Sequence, residues 1–172
     1  MYIIDLIKTI QDQPQVHDFL YKNHSAFLAH IFKMYDDLNK DEIQIGYFSP
    51  EDDMIHVFMY DEKLKTTIKN VGEEPFKEPN SKVQELNLDK IKIDLDVALK
   101  TAENKLAELK EQASKKMFVL QNLNGENIYN FTFITISLKT VNVKISVETG
   151  EIISSNSFSL FDMAKGEKLF TK

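Results

Sequence analysis

Residues 117–133 read MFVLQNLNGENIYNFTF, two apolar runs on either side of Asn124-Gly125. Both turn residues tolerate the positive φ that a two-residue hairpin loop demands, so the stretch predicts antiparallel strands over 117–123 and 128–138. Downstream, Val141, Val143, Ile145 and Val147 alternate with Asn142, Lys144, Ser146 and Glu148. A period of two buries one strand face and wets the other. Thr149-Gly150 then turns the chain into a further short strand over 151–155. Within 128–138 the apolar phase moves from Tyr129, Phe131 and Phe133 to Ile134, Ile136 and Leu138, which predicts a one-residue bulge near Phe133.

Working back from the hairpin, Asp94 precedes the stripe Leu95, Ala98, Leu99, Ala102, Leu106, Leu109 and Ala113. Aspartate is a good N-cap, so a helix of about 20 residues begins there. Near the N-terminus, Ile3, Leu6, Ile7 and Ile10 recur at helical spacing until Gln13-Pro14 interrupts them. Pro14 suits a first helical turn, and Val16, Phe19, Leu20, Phe27, Leu28, Ile31, Phe32, Tyr35 and Leu38 continue one apolar stripe. The expectation is helix to about residue 38, with Ser25 as a cap that divides it in two. Strands follow over 43–47 and 54–60 around an acidic turn at 49–53, and a weaker one over 64–71. The lysines of this last strand place it at a sheet edge.

The fold class is therefore α+β, antiparallel meanders with helices packed on one face. Residues 1–72 would form a helical and β-hairpin lobe, and 80–172 a helix-plus-meander lobe with an apolar tail; one compact domain is the alternative. Pro75 and Pro79 lie in the only stretch that reads as a linker. Both halves run helix then strands, so two similar units are one arrangement the pattern allows.

Composition excludes several functions. There is no Cys, hence no disulfide, thiolate nucleophile or thiolate metal site. All 21 basic residues are Lys, scattered among 27 acids at net charge −6. Without arginine forks or a basic patch, nucleic-acid binding is not expected. No apolar run reaches the length of a membrane span, and no leader is recognisable in the first ten residues. A cytoplasmic location follows, or an envelope location if a leader has been removed.

Chemistry-bearing motifs are few. Asp37-Leu38-Asn39-Lys40-Asp41 begins like a calcium loop, but Glu42 stands where Gly is needed and Phe48 where a bidentate Glu belongs. His17, His24 and His30 lack the spacing of metal ligands, so no metal or other cofactor is expected. His56 shares a strand face with Phe58 and Tyr60. These three would line a small-ligand pocket if there is one, with His56 as its acid or base; a histidine bordering the core is the plainer reading. Phe158, Leu160, Phe161 and Met163 make the tail more apolar than a free terminus needs, and they are the candidates for an interaction surface with a protein, a peptide or a second copy.

Residues 88–102, LDKIKIDLDVALKTA, and 143–153, VKISVETGEII, resemble a PepSY-type domain over roughly 86–155. The resemblance rests on Asp94-x-Asp96-x-Ala98 opening a helix and on a last hairpin that turns at Thr149-Gly150-Glu151. It implies a helix on an antiparallel meander, envelope association, and inhibition or regulation of peptidases with no catalytic centre. The expected function is a non-enzymatic module that engages a protein or peptide; a small-ligand or enzymatic domain with a cavity near His56 is the alternative.

Overall fold

The computed structural model describes residues 2–69 and 82–161. It begins with two short helices, α1 (Ile3–Gln11) and α2 (Pro14–Lys22). A first meander follows: β1 (Phe27–Tyr35), β2 (Glu42–Ser49), β3 (Met54–Asp61) and β4 (Thr66–Lys69). After a single helical turn at Leu88–Lys90 comes α3 (Leu95–Glu108). The second meander comprises β5 (Ala113–Leu123), β6 (Glu126–Thr135), β7 (Lys139–Ser146) and β8 (Ile152–Ser159). All pairings are antiparallel. The order β4-β3-β2-β1-β5-β6-β7-β8 joins the meanders through their first strands into one sheet. The stretch 72–80, expected as a linker between lobes, lies outside the described residues.

All three helices bury against the same side of this sheet. Ile3, Ile7 and Ile10 of α1, Val16 and Phe19 of α2, and Leu95, Ala98, Ala102 and Leu106 of α3 share one core. Against them stand Leu28, Ile31, Ile45, Tyr47, Phe58, Phe118, Phe131, Phe133 and Val143 from the strands. The spacing of the helical residues is the i, i+3, i+4 pattern that presents one stripe. Pro14 occupies the first turn of α2, where its missing N–H costs nothing. Asp94 caps α3 by accepting the Leu95 N–H at 2.9 Å. This helix has 14 residues, shorter than its stripe suggests, because Lys110 at φ 55° turns the chain and Ala113 already begins β5.

The connection into α3 is tied to the sheet by polar contacts that the hydrophobic pattern does not announce. Buried Asn127 donates to the Asn87 carbonyl at 2.6 Å and accepts the Asn87 N–H at 3.4 Å. The Tyr129 hydroxyl donates to the Ile93 carbonyl at 2.9 Å. Each bond satisfies a group that would otherwise be costly to bury.

Two expectations fail for identifiable reasons. Residues 27–35 are strand β1, not the continuation of a helix. Phe27, Leu28, Ile31, Phe32 and Tyr35 do recur at helical spacing, because β1 carries apolar residues on both faces, Leu28 and Ile31 toward the helices and Phe32 and Met34 on the other side. A two-faced strand loses its alternation, and a bulge between Leu28 and His30 disturbs it further. In β6 there is no bulge at Phe133: Asn127, Tyr129, Phe131, Phe133 and Thr135 are all buried, and the register against β7 runs without a shift. The apparent change of phase arises because β6 ends at Thr135 and exposed Ile136 and Leu138 belong to the turn. The irregularity in this hairpin is on the opposing strand, between Ala113 and Lys115 of β5.

Candidate functional site

The sheet face opposite the three described helices carries several large apolar side chains. Strand register puts His30, Phe32 and Met34 of β1 beside Gly46 and Gln44 of β2 on one flank and Gln121, Val119 and Met117 of β5 on the other. Ile134 of β6 extends the same face. Phe32, Met34, Met117, Val119 and Ile134 are half-buried, and all three helices lie on the other side. A band of large apolar side chains thus crosses the centre of the sheet, and α1, α2 and α3 leave it uncovered among the described residues.

At one end of this band the β1–β2 connection raises a rim. Phe32, Met34, Asn39, Glu42 and Gln44 enclose an open cleft of about 110 Å³. The floor is apolar and the rim supplies amide and carboxylate groups. The turn is held by Asp36, whose Oδ1 accepts the N–H of Leu38 at 3.1 Å and of Asn39 at 2.8 Å, while Asn39 Nδ2 donates back to it at 2.8 Å. The bond from the Asn39 N–H does most to hold the Asp36 carboxyl below its ordinary range. The stretch that began like a calcium loop is therefore an aspartate-capped turn, and no group of metal-ligating residues occurs among the described residues.

His30 lies over Gly46, where a Cβ would sit only 2.2 Å from the ring Cε1. Glycine here makes room for an imidazole laid across the backbone of the neighbouring strand. Burial lowers the His30 pKa below 6.5. The folded protein thus resists a proton that the unfolded chain accepts near that value. Stability on this account is complete above pH 6.5 and is lost as pH falls below it. We expect the urea midpoint to drop between pH 6.5 and 5, and His30→Gln to flatten that drop. The carboxylates held low, Asp36 and Glu111, add their loss only at more acidic pH.

The residues singled out from sequence lie elsewhere. Phe58 and Tyr60 are buried on the helix-covered face. The Phe19 ring of α2 packs on Phe58 at 5.4 Å and on His56 at 4.8 Å. His56 Nε2 meets Asp52 Oδ2 at 2.8 Å, and Nδ1 is buried with no hydrogen-bond partner among the described residues. One ring nitrogen is thus engaged and the other faces the packed interior. Partial desolvation raises the Asp52 carboxyl, but the bonds from His56, Met54 and Ser49 outweigh it and the net shift is downward. In the C-terminal group, Phe158 and Phe161 are exposed and Leu160 is half-buried. Met163 lies outside the described residues.

Sequence reading passed over an ionisable cluster on the helix side. Lys33 of β1 is 6% exposed and pairs with Glu62. The Tyr35 ring lies 5.9 Å from Lys33 Nζ and 5.2 Å from Lys116 Nζ, and Lys116 bonds Glu103 of α3 at 2.7 Å. Burial, then the charges of Asp96, Glu62 and Glu103, raise the Tyr35 pKa strongly. Alternation alone could have flagged Lys33, which shares a face with Ile31 and Tyr35.

This architecture has a counterpart among solved structures. The chain is similar to a protein of Clostridium difficile 630 described as a "putative lipoprotein", at 16% identity and a TM-score of 0.58. The match covers 84% of this chain and 90% of that one. At that identity the likeness is one of fold. No protein-family model matches the chain, and no curated protein matches it either. No helix among the described residues is long and apolar enough to cross a membrane.

Proposed function

We propose that this protein is a non-enzymatic binding module that holds an apolar segment of a protein or peptide against the helix-free face of its sheet. The observation that carries the reading is the band formed by Phe32, Met34, Met117, Val119 and Ile134, ending in the cleft beside Asn39 and Glu42. Solvent-facing apolar patches of this kind mark contact surfaces, and a polar rim around an apolar floor is how such surfaces set orientation. The PepSY-like stretches at 88–102 and 143–153 support a regulatory role toward a peptidase, because that family acts by contact. The lipoprotein description of the structural neighbour supports an envelope location over a cytoplasmic one.

Selection of peptides from a displayed random library tests the reading. Enriched sequences should be rich in apolar residues, and Phe32→Glu combined with Val119→Glu should weaken their binding at least about tenfold, the effect of losing ~1.4 kcal/mol of contact. Both positions are half-buried and lie outside the core shared with the helices, so the variant should stay folded, with an unchanged far-ultraviolet dichroism spectrum at the assay temperature. Peptides that bind this double variant as tightly as the parent would overturn the assignment.

A further inference from the structure

The two ends of the sheet are built differently. β4 ends one side with four residues. β8 ends the other with eight, IISSNSFS, and residues 152–161 carry no charge in a chain that is 28% charged. Edge strands are ordinarily blunted by charge, proline or brevity, because their unpaired N–H and C=O groups are a template for another strand. β4 has four described residues and includes Lys69, whereas β8 is free of these devices from Ser154 to Ser159, its one irregularity being the register shift between Ile152 and Ser154. In lacking charge it resembles the interior strand β6, whose residues 127–135 are also uncharged.

The hydrogen bonding of β8 shows which groups are available. Leu160 donates its N–H to the Leu138 carbonyl at 2.9 Å. Along an antiparallel ladder such bonds fall on alternate residues, so Phe158, Asn156 and Ser154 also turn their backbone groups toward β7. Ser155, Ser157 and Ser159 therefore direct theirs away from the sheet, where no described strand lies. Their side chains are small, and no described strand pairs along this edge.

We propose that β8 pairs antiparallel with β8 of a second copy of this chain, about a two-fold axis near Ser157, to make a continuous sixteen-stranded sheet. In that register Ser155 faces Ser159 of the second copy and Ser157 faces its own equivalent, so the outward groups form roughly six N–H···O bonds. Phe158 comes to lie opposite Asn156 of the second copy, on the helix-free face. An uncharged strand can face itself without opposing like charges, whereas the net charge of −6 disfavours most other contacts between copies. Because the β4 end is short, the pairing uses one edge per molecule and closes as a dimer; a sheet with two open edges would polymerise.

Sedimentation equilibrium of the full chain tests this. The mass should rise from 19.9 kDa toward twice that value as concentration increases from about 1 to 500 µM, the range expected of a small interface. Ser157→Pro removes only an outward N–H and leaves the ladder to β7 intact. Ser157→Lys places like charges opposite each other across the axis. Each variant should weaken association at least tenfold, with an unchanged far-ultraviolet dichroism spectrum. A wild-type chain that stays at 19.9 kDa throughout, one that grows past the dimer, or variants that associate as well as the parent would overturn the proposal.

Discussion

Phe131→Ala should cost about 3–5 kcal/mol of folding free energy, a large share of the roughly 5–15 kcal/mol that holds a domain together. Phe131 is 1% exposed at the centre of β6, with the ring of Phe118 at 6.0 Å on β5 and that of Tyr129 at 6.2 Å. The neighbours on the helix side come from three elements: β5, β7 and α3. Their backbones are fixed by ladders and a capped helix, so they can close little of the space the ring leaves. The deficit is therefore both the lost burial and the unfilled cavity. Urea titration followed by far-ultraviolet dichroism measures it. A loss under about 1 kcal/mol would mean that this part of the core repacks freely, contrary to a rigid meander under α3.

Glu62→Ala should be the second most damaging change, at about 3 kcal/mol, even though Glu62 lies in a turn at the end of β3. Its partner Lys33 points into the helix-covered face and is 6% exposed. Removing the carboxylate leaves a buried ammonium without its direct ion-pair partner, which costs far more than the pair itself contributes. The two members of the pair should respond unequally. Lys33→Met leaves Glu62 at the rim, where water can solvate it, and places an apolar chain of similar length beside Ile31, Ile43 and Phe118. That variant should be near neutral, and Lys33→Met/Glu62→Ala should recover most of the loss of Glu62→Ala. If both single variants lose equal stability, the penalty is not one of a stranded buried charge.

Several parts of this molecule were legible without coordinates because their signals are local. The Asn124-Gly125 hairpin has φ of 55° and 89°, as the turn chemistry requires. Asp94, Pro14 and Gly150 stand at the cap, first turn and tight turn expected of them. The alternation of Val141, Val143 and Ile145 corresponds to three fully buried side chains. Where the reading failed, the missing information was non-local. Residues 27–35 follow a helical period because β1 carries large apolar side chains on both faces and a bulge between Leu28 and His30; only its pairing with β2 and β5 makes it a strand. The candidate binding face was invisible for the same reason. Phe32 and Val119 are far apart in sequence, and only their pairing across β1 and β5 makes them neighbours.

The amino-acid sequence by itself determined the local elements: where chains turn, where helices begin and which residues of the outer strands face inward. Those features follow from backbone sterics and a two- or 3.6-residue period, which act over a few neighbours. Only the tertiary structure decided that two meanders fuse through β1 and β5, that α1, α2 and α3 all pack on one face, and that Lys33 and Glu62 meet. Each of these depends on contacts between distant segments, where the free energy of burial is shared by the whole sheet and no single stretch encodes it.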